Sequence, residues 1–164
     1  IKQGIRLLVL LPMQCAIKTD GIIGNIRQEL LEKHTLDAVF SFPAEMFYPG
    51  ASPVACCMVF DLGKPHPKNY ETFFGYYRDD GFEKRKGVGR VDIKDKWEET
   101  EKKWYDTYRS RLTIPGLSVC KSVTSSMEWC AEAYMETDYS TLSEIDFVEK
   151  LRDYAAFLVQ NERL

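Results

Sequence analysis

"LDAVFSFPAEMFYPGASPVACCMVFDL", Leu36 to Leu62, is the stretch that decides the fold. Two apolar runs of strand length, Leu36 to Phe42 and Val54 to Leu62, flank a turn bracketed by prolines. Runs of that length without polar alternation read as strands buried on both faces. Cys56 and Cys57 are neighbours on the second run, so they point to opposite faces and read as small core hydrophobes rather than a redox pair. Between the runs, "PAEMFYPGASP" places Phe47 and Tyr48 at the middle of a turn, where a core does not require two large aromatics.

Working upstream, "RLLVLL" from Arg6 to Leu11 ends at Pro12 and is another buried-strand pattern. The segment between it and Leu36 predicts a helix capped by Asn25 with Gln28 three residues on, and with Ile26, Leu30 and Leu31 on one face. Strand, helix, strand implies neighbouring parallel strands joined by a crossover. Downstream, Glu71 to Arg78 has strong strand propensity, and the short "GKPHPKN" link predicts an antiparallel, hairpin-like return. The expected class is therefore α/β, a sheet with a mixed edge. The chain starts without Met inside what reads as an element, so a piece of something longer is expected.

Beyond Asp80 the character changes. Glu83 to Lys96 holds six Lys or Arg against three acids and is expected as a basic loop, dividing a sheet region, 1–82, from a helical region, 97–164. In the latter, Trp97, Trp104, Tyr105, Tyr108 and Leu112 recur at helical spacing, a stripe that can pack on the sheet or on a partner. Met127 to Thr137 predicts a second helix. A third opens at Thr141, with Glu144 completing a capping box, and carries Phe147, Leu151, Tyr154 and Leu158 on one face.

At 164 residues, 45% hydrophobic and 29% charged, the chain has the composition of a globular domain, with no apolar run of the roughly 18 residues a membrane span needs. The five cysteines form no metal spacing, which points to a reducing, cytoplasmic compartment. A net charge of −3 argues against a wholly basic nucleic-acid binder but permits a local basic patch. Lys84, Arg85, Lys86 and Arg90 could form one, following a phosphate backbone, or could simply be solvated. Neither His34, at a helix end, nor His66, between prolines, has a nucleophile beside it in sequence. "GVG" at Gly87 to Gly89 does not join a strand to a helix, so it is no dinucleotide turn. Asp79 and Asp80 lack the further ligands of a metal site and read as an Asp-Gly turn.

"GIRLLVLLP" followed by "IRQELLEKHTLDAVFSFPAEMFYPGASPVACCMVFDLGK" resembles the second half of the catalytic domain of N6-adenine DNA methyltransferases, above all the modification subunits of type I restriction systems. The likeness runs from Gly4 to Asp92. It implies the C-terminal half of a Rossmann-like methyltransferase sheet followed by a helical region. The family's strand often has Thr where this chain has Val54. The resemblance further implies S-adenosylmethionine as cofactor, adenine in DNA as substrate, and specificity and restriction subunits as partners. The family's glycine-rich cofactor turn and its Pro-Pro loop at the target amino group are absent here and would lie upstream of Ile1, so no catalytic residue is expected in this chain. Such enzymes swing the target base out of the duplex, and an aromatic ring must then replace its lost stacking. By resemblance that ring is Phe47, with Tyr48 as neighbour and Pro49 shaping the turn; Phe47 could equally be a lid over the sheet edge. The alternative function is a non-catalytic module binding DNA or another subunit.

Overall fold

A computed structural model describes residues 4–51, 53–140 and 142–161. In chain order the elements are β1 (Arg6–Pro12), α1 (Gln14–Ile17), α2 (Gly21–Lys33), β2 (Thr35–Ser41), β3 (Ala55–Asp61), β4 (Glu71–Tyr76), β5 (Glu83–Arg85), β6 (Gly89–Val91), α3 (Trp97–Arg109), β7 (Ser118–Ser122), a 3₁₀ turn (Ala131–Ala133) and α4 (Glu144–Gln160). Five strands form one mixed sheet in the order β1-β3-β2-β4-β7, and β5 and β6 form a separate hairpin.

The α/β class with a mixed sheet is as expected, but the neighbours differ. β1 and β2 run parallel yet are separated by β3, which pairs antiparallel with both. β4 does not pair with β3; it lies parallel to β2 on the far side, in register Ala38↔Phe73 to Ser41↔Tyr76. The link after β3 therefore passes over β2 at one end of the sheet, two strand spacings or about 10 Å, which its nine residues span easily. The edge beyond β4 is taken by β7, antiparallel, in a region expected to be helical.

Burial follows the apolar runs of β2 and β3 but not that of β1, expected to be buried on both faces: it is an edge strand paired with β3 alone among the described strands, and most of its residues are exposed. All of β2, and β3 up to Phe60, is buried. Cys56 belongs to the core on one face with Leu36, Met58, Phe74 and Trp129; Cys57 belongs to the other with Phe40, Phe73 and Tyr77. Gly75 marks where that second face is tightest: a Cβ there would come 2.9 Å from Phe40 and 3.0 Å from Tyr77. The stripe on α3 packs on this face, Trp104 stacked on Tyr77 at 4.4 Å and Tyr108 edge-on to Phe40 at 5.2 Å. The sheet, not a partner, takes Trp104 and Tyr108.

Two helix expectations change. α2 begins at Gly21, with Asp20 rather than Asn25 at its N-cap; Gly24 is needed because a Cβ there would lie 2.4 Å from the Thr19 carbonyl oxygen. Met127 to Thr137 forms only the short 3₁₀ turn, because tertiary burial prevails: Trp129 is fully buried, its backbone N–H bonded to the Ala16 carbonyl and its indole N–H to that of Thr124. Arg27, itself buried, lies 4.0 Å over the Trp129 ring and donates to the Lys18 and Met127 carbonyls. Burial lowers its guanidinium pKa to about 10. Thr141 lies outside the described residues; α4 is capped by Ser143 and Asp146 in a capping box.

Candidate nucleic-acid interface

β1, β2 and β4 are mutually parallel and finish at the same end of the sheet. In open α/β sheets that is the end at which ligands bind. The turn from Pro43 to Ala51 projects there, closed by bonds from the Tyr48 N–H to the Glu45 carbonyl and from the Ala51 N–H to the Phe47 carbonyl. The structure separates its two aromatics. Phe47 is 39% exposed, whereas Tyr48 is half-buried.

The second expected element, the basic segment, is not a loop. It folds as the β5/β6 hairpin, with Lys86, Gly87 and Val88 at the tip and Gly87 in the left-handed region that a tight reversal requires. The hairpin lies against the aromatic turn. Lys84 forms an ion pair with Glu45 and sits 5.1 Å over the Tyr48 ring, and Pro49 is the nearest neighbour of Gly89, 4.0 Å from where a Cβ would stand. Thus Tyr48, Pro49 and Lys84 are brought together, while Phe47 stands clear. Arg85 is exposed and 3.5 Å from Glu83. Lys86 is exposed at the tip. Arg90 differs from these: its guanidinium makes two bonds to Asp80, at 2.7 and 2.6 Å, with both side chains largely buried. It anchors the hairpin and does not face solvent as a free cation. Asp79 and Asp80 also make the expected turn, accepting from the Gly81 and Phe82 N–H groups.

Residues 3–155 match the family described as N-6 DNA methylase. The chain belongs to the N-6 DNA methylase family. Among solved structures it is similar to the methyltransferase subunit of a type I restriction-modification system from Streptococcus thermophilus, at 20% identity and a TM-score of 0.56, over 71% of this chain and 23% of that one. It is also similar, at 18% identity and a TM-score of 0.56, to a chain from a structural study of complex assembly and conformational transition in the type I system, over 98% of this chain and 35% of that one. The three share a fold. This chain spans about a quarter to a third of the length of those subunits. No curated protein matches it significantly.

α2, the long helix after β1, opens behind Asp20, an anion at its N-cap, without a glycine-rich turn. No group of three or more metal-ligating side chains occurs among the described residues. A cleft of about 750 Å³ runs between the turn after β4 and α3; its basic residues, Arg78, Lys94, Lys96 and Lys103, are matched by Asp79, Glu83, Glu99 and Asp138. None of the described turn residues lines it.

At the opposite end of the sheet lies a polar cluster that the sequence reading passed over. Asp37, on β2, is buried and accepts from the Tyr70 hydroxyl at 2.6 Å, from the Tyr108 hydroxyl and from Arg111, with Arg6 3.6 Å away. Burial alone would push this carboxyl up; the two tyrosine hydroxyls, Arg111 and Arg6 outweigh it and hold the pKa below the ordinary value. Burial and the bond to Asp37 push Tyr70 up to about 12, with Arg111 acting against them. Arg111 takes a left-handed backbone, φ 53°, and also donates to the Asp37 carbonyl at 2.8 Å. A signal was present: one acid inside the apolar "LDAVFSF" must find partners if that strand is buried. The histidines are structural too. His34 accepts from the Gly63 N–H and His66, half-buried rather than exposed, from the Leu36 N–H. Burial lowers the His66 pKa.

Proposed function

We propose that this chain is the C-terminal part of a DNA adenine-N6 methyltransferase subunit of a restriction-modification system, working in the cytoplasm. The whole enzyme would transfer the methyl of S-adenosylmethionine to the adenine amino group, with that nitrogen as nucleophile. The observation that carries the reading is the exposed Phe47 on a structured turn at the ligand-binding end of a sheet whose family is N-6 DNA methylase. The part played by this chain is to receive the base: Phe47 stacks on the extruded adenine, offsetting about 1–3 kcal/mol per base. Arg85 and Lys86, exposed on the hairpin, are the cations placed to reach phosphates, and Arg90 braces them from below.

The surface of β1 supports the reading that a larger enzyme surrounds this chain. β1 pairs on one side only, and Leu7, Leu8 and Leu10 are 44%, 64% and 54% exposed. A seven-residue, leucine-rich free edge is what a protein avoids presenting to solvent, and a continuing sheet bearing the cofactor turn and the amino-group loop would cover it.

The alternative, a module that docks another subunit, is favoured by α4. No residue of this 17-residue helix is buried, and Phe147, Leu151 and Tyr154 form an exposed seam at 49%, 66% and 60%. We place the contact with specificity or restriction subunits there, as a second role of the same protein.

The test is methyl transfer by the full-length subunit carrying Phe47→Ala or Phe47→Trp. Stacking requires the alanine variant to lose about tenfold or more, and the tryptophan variant to retain most of the rate. Equal rates for all three proteins would remove Phe47 from the site.

A further inference from the structure

The two candidate DNA-binding elements of the sequence are physically joined through one side chain, Lys84. Its ammonium lies between the Glu45 carboxylate and the Tyr48 ring face, so it holds both ends of the "EMFY" segment. The hairpin carrying it is fixed to the core by the largely buried Arg90–Asp80 pair. A run of aromatic contacts continues that anchorage, Phe82 to Trp97 to Trp104 to Tyr77 at 5.6, 5.7 and 4.4 Å. A rigid support thus meets the aromatic turn at the residues on either side of Phe47, and leaves Phe47 itself exposed.

We propose that Lys84 is a positioning residue for the aromatic turn rather than a phosphate contact. By holding Glu45 and Tyr48 it presents Phe47 alone to an extruded base. Electrostatics favours the assignment. If Lys84 reached for a phosphate, the Glu45 carboxylate would be left unpaired beside the DNA, repelling the same backbone. With Lys84 in place, Glu45 is neutralised and Tyr48 is covered by a cation, which leaves phosphate contact to Arg85 and Lys86. The proposal rests on the reading of Phe47 as the stacking residue.

The experiment compares Lys84→Glu, Glu45→Lys and the double swap in the full-length methyltransferase, reading both the single-turnover methyl-transfer rate and the DNA dissociation constant. Both pair members are exposed, so the variants fold. Positioning predicts that each single reversal slows transfer by up to about fivefold, the range of an exposed ion pair, and that the double swap recovers most of the rate. A phosphate contact predicts instead that Glu45→Lys tightens DNA binding without slowing transfer, and that the double swap recovers nothing; either result overturns the proposal. Phe47→Ala in the same assay separates the two ideas. A slow Phe47→Ala with no rescue by the swap defeats the Lys84 assignment alone, whereas a fully active Phe47→Ala defeats the stacking reading on which it stands.

Discussion

At the end of the sheet where β2 begins, one carboxylate, Asp37, draws together four side chains from three separate segments: Arg6, Tyr70, and Tyr108 with Arg111 at the end of α3. At the end where β2 and β4 finish, the aromatic turn is held from outside by the exposed contacts of Lys84. The first end is buried and over-determined, and rearranging it would strip a charge of all its partners. The second leaves a large ring in solvent on a turn held only through exposed contacts. The difference matches a division of labour in which one end secures the fold and the other meets a ligand that must push its way in.

The largest effect is expected from Asp37→Ala. It leaves Arg111 and two tyrosine hydroxyls without their acceptor, and removing one partner of a buried charged cluster costs about 3–5 kcal/mol. Urea unfolding of the full-length protein measures it; a midpoint within error of the parent would break the contrast between the two ends. Since the folded pKa of Asp37 is depressed, its stabilisation is complete above the ordinary carboxylate range and is lost as pH falls below that range. Asp37→Asn should therefore flatten the acid limb of the stability profile while changing the neutral value less than alanine does.

Next comes Arg90→Ala, which releases the hairpin but not the sheet. About 1.5–3 kcal/mol is expected from the lost charged hydrogen bonds, seen as faster amide exchange confined to residues 83–91. Exchange accelerating equally in β2 and β3 would show that the hairpin and the sheet do not open separately. A smaller effect, on binding only, is expected for Arg85→Ala and Lys86→Ala. Each should reduce the slope of log affinity against log salt by about one at unchanged stability. Leu151→Asp on α4 should leave unfolding unaltered, because that helix buries no residue, and should weaken co-purification of a partner subunit.

The apolar runs from Arg6, Leu36, Val54 and Glu71 were legible as strands because strand length and apolar composition are local properties, but burial was not: the run from Arg6 is an exposed edge. Their order was not. Antiparallel β3 sits between β1 and β2, and nothing local distinguishes a hairpin neighbour from a strand one place further on. β7 was missed because "SVCKS" is short and only half-buried, and its place beside β4 is a tertiary fact. In the candidate site, the aromatic pair and the basic residues were readable one by one. That Lys84 joins them, and that Arg90 turns inward to Asp80, depends on a hairpin whose strands are three residues each, too short to carry a periodic signal.

The account turns on Phe47 meeting a base that has left the duplex. The direct measurement is methyl transfer by Phe47→Ala on two substrates, one with the target adenine paired and one with it mispaired. Stacking predicts a large loss on the paired duplex and a smaller one on the mispaired, where extrusion already costs less. Equal losses on the two substrates, or none on either, would contradict it.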